Sequence, residues 1–349
     1  MRIGIITFTY GDNYGQRLQN LAVQEILKRY TSEVYTISQI RPNGCMRAII
    51  KRLITLLLRG EFTASIRRHN SFKMFDEAYI SYFNVPISSK LSDEFPENYF
   101  DFFVAGSDQI WSPYSKDVNE TMFLTFTDKE KRIALCPSIA AERFPKDKKA
   151  QYQELLEGFK YISIREERGA ELVKDLIGVK PTVLIDPTLM LDKNYWSQYE
   201  KKPNKVLPEK YIFCYFLGSS SYKREIQEFA KKNKFEIIDI LFDRKFQDAG
   251  PAEFLFLIRH AELVITDSYH GTIFSLIFDK PFVICSREGD SVNMESRFKT
   301  LEKKFLIKGH DIEKLQTYSI NELKCESINE KLGCERQKVY SFLETAIGI

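Results

Sequence analysis

The stretch Ala261–Ser286, A-E-L-V-I-T-D-S-Y-H-G-T-I-F-S-L-I-F-D-K-P-F-V-I-C-S, narrows the folds open to this chain more than any other. Leu263, Val264 and Ile265 form a short apolar, largely β-branched run that predicts a buried strand. Thr272 to Phe278 is apolar at near-continuous density and predicts a buried helix. Lys280-Pro281 then interrupts the pattern, and Phe282 to Cys285 resumes it as a second strand. The unit reads strand, loop, helix, strand. In a parallel sheet its loop, Asp267-Ser268-Tyr269-His270-Gly271, stands at the carboxyl end of the strand, where open α/β sheets bind ligands. The loop sets an imidazole beside a glycine at a helix start, where free backbone N–H groups and the helix dipole favour a phosphate or carboxylate. His270 is therefore the first candidate for chemistry. The plainer alternative is a histidine that caps a turn and donates to a backbone carbonyl.

The amino terminus repeats the pattern. Ile3 to Phe8 predicts a strand and Thr9 to Gly15 a loop. Leu18, Leu21, Ala22, Val23, Ile26 and Leu27 recur at helical spacing up to Tyr30, and Val34 to Ile37 predicts the next strand. The loop lacks both the three-glycine dinucleotide fingerprint and the Lys-Ser/Thr of a P-loop, so it supports neither NAD nor ATP. Gly11 and Gly15 either supply positive φ for a turn capped by Asp12 or Asn13, or let Asn13 and nearby amides face a cleft within reach of Arg17.

Tyr99 to Ala105 predicts another strand, and Ser107, Asp108 and Gln109 turn out of it before Trp111, as either a sugar-contact surface or a turn cap. Arg132 to Ser138, Tyr161 to Ile164 and Thr182 to Ile185 continue the strand rhythm, with helices at Lys146 to Phe159 and Glu167 to Ile177. Such alternation predicts a largely parallel sheet. Arg165 ends one of these strands and offers a planar fork for an anion, unless Glu166 or Glu167 neutralises it in a surface ion pair. Residues 1–191 are expected to form one α/β domain. A polar linker follows at 192–210, then a second α/β domain at 211–327 and a closing helix at 328–349. In the second domain, Arg297, and with less support Arg287, stand on the carboxyl side of the last strand.

A chain of 349 residues exceeds the size at which one core stops growing, which favours two domains. The 51 Lys and Arg against 48 Asp and Glu leave a formal charge of +3, too balanced to indicate nucleic acid as a partner. Met1-Arg2 runs straight into a strand pattern, and no apolar run approaches the roughly 20 residues that span a bilayer. A cytoplasmic protein is expected. Between Arg41 and Asn70, seven cations face the single acid Glu61 beside a broad apolar face. This pattern fits either peripheral membrane contact through Arg47 to Arg59 or a core helix with solvated cations. The six cysteines are scattered and read as mostly buried thiols, and no cluster has metal-ligand spacing.

The motif T-D-S-Y-H-G-T-I-F-S followed by K-P-F-V resembles the signature of the polysaccharide pyruvyl transferase family. In the same order as in that family, the chain carries Y-G-D-N-Y-G-Q-R-L-Q-N at Tyr10 to Asn20, V-A-G-S-D-Q-I-W at Val104 to Trp111, S-I-R-E-E at Ser163 to Glu167 and D-P-T-L-M-L at Asp186 to Leu191. The resemblance spans about residues 1 to 300. It implies two Rossmann-like domains with parallel sheets in a glycosyltransferase-B-like arrangement. It also implies transfer of a pyruvyl ketal from phosphoenolpyruvate to a sugar of a cell-surface polysaccharide or its lipid-linked precursor, with phosphoenolpyruvate as co-substrate and no further cofactor. On this reading His270 shuttles protons, as suits a residue type that ordinarily titrates near neutrality. Arg165, Ser268, Gly271, Thr272 and Arg297 hold the donor. Asn13, Arg17, Ser107, Asp108, Gln109 and Asp267 line the acceptor side. Many members carry Arg where Ser268 stands, which leaves Arg297 to supply the missing positive charge. A nucleotide-sugar glycosyltransferase and a catalytically silent sugar-binding protein are the alternatives.

Overall fold

Apolar runs of four or five residues, each followed by a helix, cannot close hairpins, so they pair in parallel through helical crossovers. The protein was analysed as a computed structural model that describes residues 1–40, 62–86, 91, 95, 98–114, 119–218, 222–287 and 295–349. The basic stretch Arg47 to Arg59, expected either at a membrane or over the sheet, lies outside the described residues.

In chain order the amino-terminal half comprises β1 (Arg2–Ile6), α1 (Tyr14–Leu27), β2 (Glu33–Ile40), α2 (Phe62–Tyr79), β3 (Tyr82–Pro86), β4 (Phe102–Ala105), β5 (Arg132–Ala134), α3 (Lys149–Glu157), β6 (Tyr161–Ile164), α4 (Glu167–Ile177) and β7 (Thr182–Val183). After α5 (Lys193–Trp196) come β8 (Tyr211–Tyr215), α6 (Lys223–Asn233), β9 (Glu236–Asp239), α7 (Pro251–His260), β10 (Leu263–Thr266), α8 (Tyr269–Ile277), β11 (Phe282–Ile284), α9 (Glu295–Phe305) and α10 (Asn329–Ile347).

The strands form two sheets, ordered β3-β2-β1-β4-β5-β6-β7 and β11-β10-β8-β9. Every described pairing is parallel. Strand order reverses between β1 and β4 in the first sheet and between β8 and β10 in the second. The loops at these reversals diverge and leave a crevice at the carboxyl ends. The expected pair of parallel-sheet α/β domains is present. The predicted strand Arg132 to Ser138 ends at Ala134, because Cys136 takes φ +55 and turns the chain out of the sheet.

One apolar cluster joins the two halves. It runs from Tyr14, Leu18 and Leu21 of α1 to Phe254 and Ile258 of α7, Phe274 of α8 and Leu343 of α10. Tyr14 is fully buried, stacks on Phe254 at 4.5 Å and 11°, and donates its hydroxyl to the Ala249 carbonyl at 2.9 Å. The connecting segment 192–210 is anchored through Trp196, whose ring meets Phe274 at 5.0 Å and whose Nε1 donates to the Thr188 carbonyl at 3.0 Å. Helix α10 packs back with Leu332, Val339 and Leu343 buried, and Arg336 on it donates to the Leu189 carbonyl at 2.8 Å. Among the described residues no helix is long and apolar enough to cross a membrane.

Because Tyr14 belongs to one half and its partners to the other, its loss should be felt by both. Tyr14→Ala is expected to cost about 3–5 kcal/mol in urea denaturation, and Tyr14→Phe, which only strands the Ala249 carbonyl, about 1 kcal/mol. Near-wild-type stability of Tyr14→Ala would show that the two halves are not held together by this core.

Candidate active site

The crevice gathers residues from the carboxyl ends of β4, β6, β7 and β10. At β10 the predicted loop is shorter than expected and the helix longer. Helix α8 begins at Tyr269 rather than Thr272, because Ser268, with extended backbone (φ −94, ψ 130), is its N-cap and accepts from the Gly271 N–H at 3.4 Å. His270 is thus the second residue of the helix, not a loop residue that precedes it. Gly271 is required by packing: a Cβ there would lie 2.6 Å from Thr266 Oγ1. The Thr272 hydroxyl turns back to the Ser268 carbonyl at 3.2 Å.

The imidazole of His270 rests on the first turn of another helix. Gly15 is the second residue of α1, and a Cβ at that position would lie 2.1 Å from His270 Nδ1. Positive φ for a turn is one of the two readings open to Gly11 and Gly15 from the sequence. Gly11, at φ +80, fits that description, whereas Gly15 is helical and its bareness makes room for the ring. On the other side, His270 Nε2 faces Asp186 Oδ2 at 3.6 Å, an ion-pair distance but longer than a hydrogen bond.

Asp186 is the hub. It is fully buried, and its Oδ1 accepts from Thr188 N at 2.9 Å and Thr188 Oγ1 at 2.6 Å. Its Oδ2 accepts from Arg165 Nη1 at 2.5 Å. Burial alone would raise the Asp186 carboxyl, but the adjacent Arg165 charge, with His270 and Thr188, holds it well below the usual carboxylate range. Burial likewise works against the Arg165 charge, and Asp186 overcomes it, so the guanidinium stays protonated. The carboxylates weighed as neutralising partners were Glu166 and Glu167, yet the residue that pairs with Arg165 is Asp186. Glu166 instead accepts from Ser138 Oγ, Ile139 N and Ala140 N at 3.1, 2.8 and 2.9 Å, and so pins the loop after β5.

Arg165 carries more donors than Asp186 takes up. Nη1 also reaches Ser107 Oγ at 3.4 Å, while Nε and Nη2, the two donors of the side-on fork, are buried without a hydrogen-bond partner among the described residues. Its Cζ lies 4.7 Å from the ring centre of Tyr269, and that of Arg297 lies 5.1 Å from the same centre. Burial and the neighbouring Arg165 charge push the Arg297 guanidinium down to about 10. The Gln109 amide, oriented with its oxygen toward Arg297, accepts from Nη1 at 3.1 Å and Nη2 at 2.9 Å. Asp108 stands beside both cations at φ +83, a left-handed conformation of the kind that clusters at functional sites.

The structure therefore brings His270, Arg165, Arg297, Ser107, Asp108 and Gln109 together, and adds three residues that had no place among the candidate site residues: Gly15, Asp186 and Tyr269. Other candidates are engaged elsewhere. Arg17 pairs with Asp76 at 2.9 Å and donates to the Gly11 carbonyl at 2.9 Å. Asn13 caps α1 by accepting from Gln16 N at 3.2 Å. Asp267 accepts from Leu217 N at 2.7 Å and Gly218 N at 2.8 Å, with Arg287 Nε 3.4 Å away, so it stitches together the loops at the second strand-order reversal. Trp111 is core: it stacks on Phe123 at 5.1 Å and donates to the Met122 carbonyl.

Because the folded pKa of Asp186 lies below its unfolded one, the carboxylate contributes stability that is present above about pH 4 and lost as pH falls further. Asp186→Asn should cost about 3–5 kcal/mol at neutral pH, since it leaves Arg165 buried without its counter-charge. In denaturant titrations the gap between wild type and variant should narrow below about pH 4. A constant gap would disconnect Asp186 from the acid dependence.

A sequence model of the family described as polysaccharide pyruvyl transferase matches residues 13–289, a span that holds Gly15, Arg165, Asp186, Tyr269 and His270. No sequence among curated proteins matches the chain significantly. Among solved structures, UDP-GlcNAc 2-epimerase from Methanocaldococcus jannaschii is similar with a TM-score of 0.59 at 12% identity, over 99% of this chain and 100% of that one. The Neisseria meningitidis UDP-GlcNAc 2-epimerase, bound to UDP-GlcNAc, gives 0.52 at 12% identity over 99% and 100%. The enzyme of that name from Rickettsia bellii gives 0.51 at 10% identity over 100% and 97%. Likeness at such low identity speaks to architecture, and it agrees with two Rossmann-like domains in a glycosyltransferase-B-like arrangement. Matched by the family's model over most of its length, the chain belongs to the polysaccharide pyruvyl transferase family.

Proposed function

We propose that the protein transfers the pyruvyl group of phosphoenolpyruvate to two hydroxyls of a sugar, forming a ketal on a cell-surface polysaccharide or its lipid-linked precursor. The observation that carries this reading is the buried Nε/Nη2 fork of Arg165, tied down at Nη1 by Asp186 and set beside Arg297 and His270. Buried donors without partners are costly, and a guanidinium fork matches a carboxylate or phosphate in two parallel hydrogen bonds. Phosphoenolpyruvate carries both groups. Ser268 caps α8 and brings no charge, so the second cation is Arg297, which shares the Tyr269 ring with Arg165.

In the reaction, one sugar hydroxyl adds to C2 of the donor. Its O–C2 bond forms as the C2=C3 π pair takes a proton at C3, and His270 carries that proton from the hydroxyl to the carbon. The second hydroxyl then displaces phosphate at C2, and its proton departs with the phosphate. The donor becomes a methyl-bearing ketal carbon with its carboxylate intact. His270 stands on the first turn of α8 and packs against the first turn of α1, so the positive ends of two helix dipoles favour an anion beside it.

Calorimetric titration with phosphoenolpyruvate, followed by phosphate release in the presence of candidate sugars, tests this reading. Binding of a nucleotide sugar in place of phosphoenolpyruvate would overturn it. His270→Ala should lower turnover by about 10²–10⁴-fold with folding retained. Gly15→Ala should also lower turnover, because the new methyl displaces the ring. Turnover equal to wild type in both variants would remove the imidazole from the mechanism. Arg165→Lys should weaken donor binding although the charge is kept, and Arg297→Ala should weaken it and flatten its salt dependence. Unchanged affinity in either variant would take that cation out of the donor site.

A further inference from the structure

The two ring nitrogens of His270 stand in different surroundings. Nε2 is buried, makes no hydrogen bond and faces Asp186 Oδ2, while the side chain as a whole keeps 9% of its surface exposed. That exposure belongs to other atoms of the side chain, and Nδ1, set against the bare Gly15, is not among the buried atoms left without a partner. The carboxylate cannot turn away from Nε2, because Thr188 fixes Oδ1 with two hydrogen bonds and Arg165 holds Oδ2. An ionised carboxylate only accepts, so the neighbouring nitrogen is favoured in its N–H form. The other groups around the imidazole are Tyr269, edge-on at 5.6 Å, and Arg165 behind the shared carboxylate.

We propose that Asp186 is a positioning residue that holds neutral His270 as its Nε2–H tautomer, so that Nδ1, beside Gly15, is the nitrogen that exchanges the proton with substrate. The tautomer rests on the geometry alone, and the role of Nδ1 rests on the ketal-forming reading. One carboxylate oxygen thereby serves two tasks: it steadies the guanidinium that grips the donor, and it orients the base that acts on it. In the addition step Nδ1 takes the hydroxyl proton onto its lone pair and delivers it to C3 as the O–C2 bond forms, so that the C2=C3 π pair becomes the new C3–H bond and His270 returns to its starting tautomer. Gly15 enters the mechanism as the residue whose missing side chain lets the ring take this position.

The chain has four histidines, so selective ¹⁵N-histidine labelling of the full-length protein gives a spectrum simple enough to assign with His270→Gln. At alkaline pH the His270 signals should show a protonated Nε2 and an unprotonated Nδ1 as the major form, because the carboxylate at 3.6 Å favours an N–H over a lone pair at Nε2. In Asp186→Asn, checked for folding by circular dichroism, the preference should fall to a mixture, which a merely structural role for Asp186 would not produce. A dominant Nδ1–H form in the wild type, or an unchanged ratio in folded Asp186→Asn, overturns the proposal. If the variant does not fold, the wild-type spectrum decides alone. Failure to bind phosphoenolpyruvate with the Nε2–H form present would instead overturn the reaction assigned above and leave the tautomer standing.

Discussion

The contact between Arg165 and Asp186, 2.5 Å long and wholly buried, is the constraint around which the crevice is arranged. A charged pair removed from water roughly breaks even on stability at best, and its members must be fixed by further bonds. Here Thr188 and Ser107 provide those bonds from two different loops. The pair sits where the ends of β4, β6 and β7 converge, so three parallel strands must hold their register to make it. In return the guanidinium keeps its charge in a desolvated setting, where its attraction for an anion is stronger than at a surface.

A second layer of order comes from aromatic rings rather than charges. Tyr269 receives both guanidinium groups on its ring, and Tyr14 stacks across the boundary between the halves. Burial raises the phenol of each, so both stay neutral and act as apolar bodies with a hydroxyl donor. The two tyrosines directly precede the two residues that meet at the imidazole, His270 and Gly15. Each helix therefore begins with an anchoring ring followed by a functional position.

Much of the architecture was legible because apolar runs and glycine-rich strand ends alternate along the whole chain. His270 and Arg165 were legible for the same reason, since polar groups at the carboxyl ends of buried strands have few structural duties there, whereas Arg297, on the first turn of α9, was legible only from its place after the last strand. What escaped depended on partners distant in sequence. Asp186 was visible only as part of a motif, since the adjacent Glu166 and Glu167 looked like the natural partners of Arg165 and nothing local marked the β6–β7 pairing that delivers Asp186 instead. Gly15 fitted either a turn or a cleft-facing loop, and neither reading reaches its helical place against His270, which lies in the other domain. The early start of α8 was hidden by Tyr-His-Gly, three residues of weak helix propensity that a serine cap brings into the first turn. Arg17 was placed in the crevice by its position on α1, but its polar contacts go to Asp76 and the Gly11 carbonyl.

The stacking of Tyr14 on Phe254 also bears on how such a molecule can open. Any rotation of one sheet against the other has to turn about the contacts that survive it, and this buried ring is tethered to the opposite half at both its face and its hydroxyl. Gly15 is the next residue, so the imidazole lies almost on the axle. Atoms near an axle travel least, whereas the outer loops of the crevice sweep furthest. Any parting of the halves at the rim would therefore change the spacing between Gly15 and His270 least.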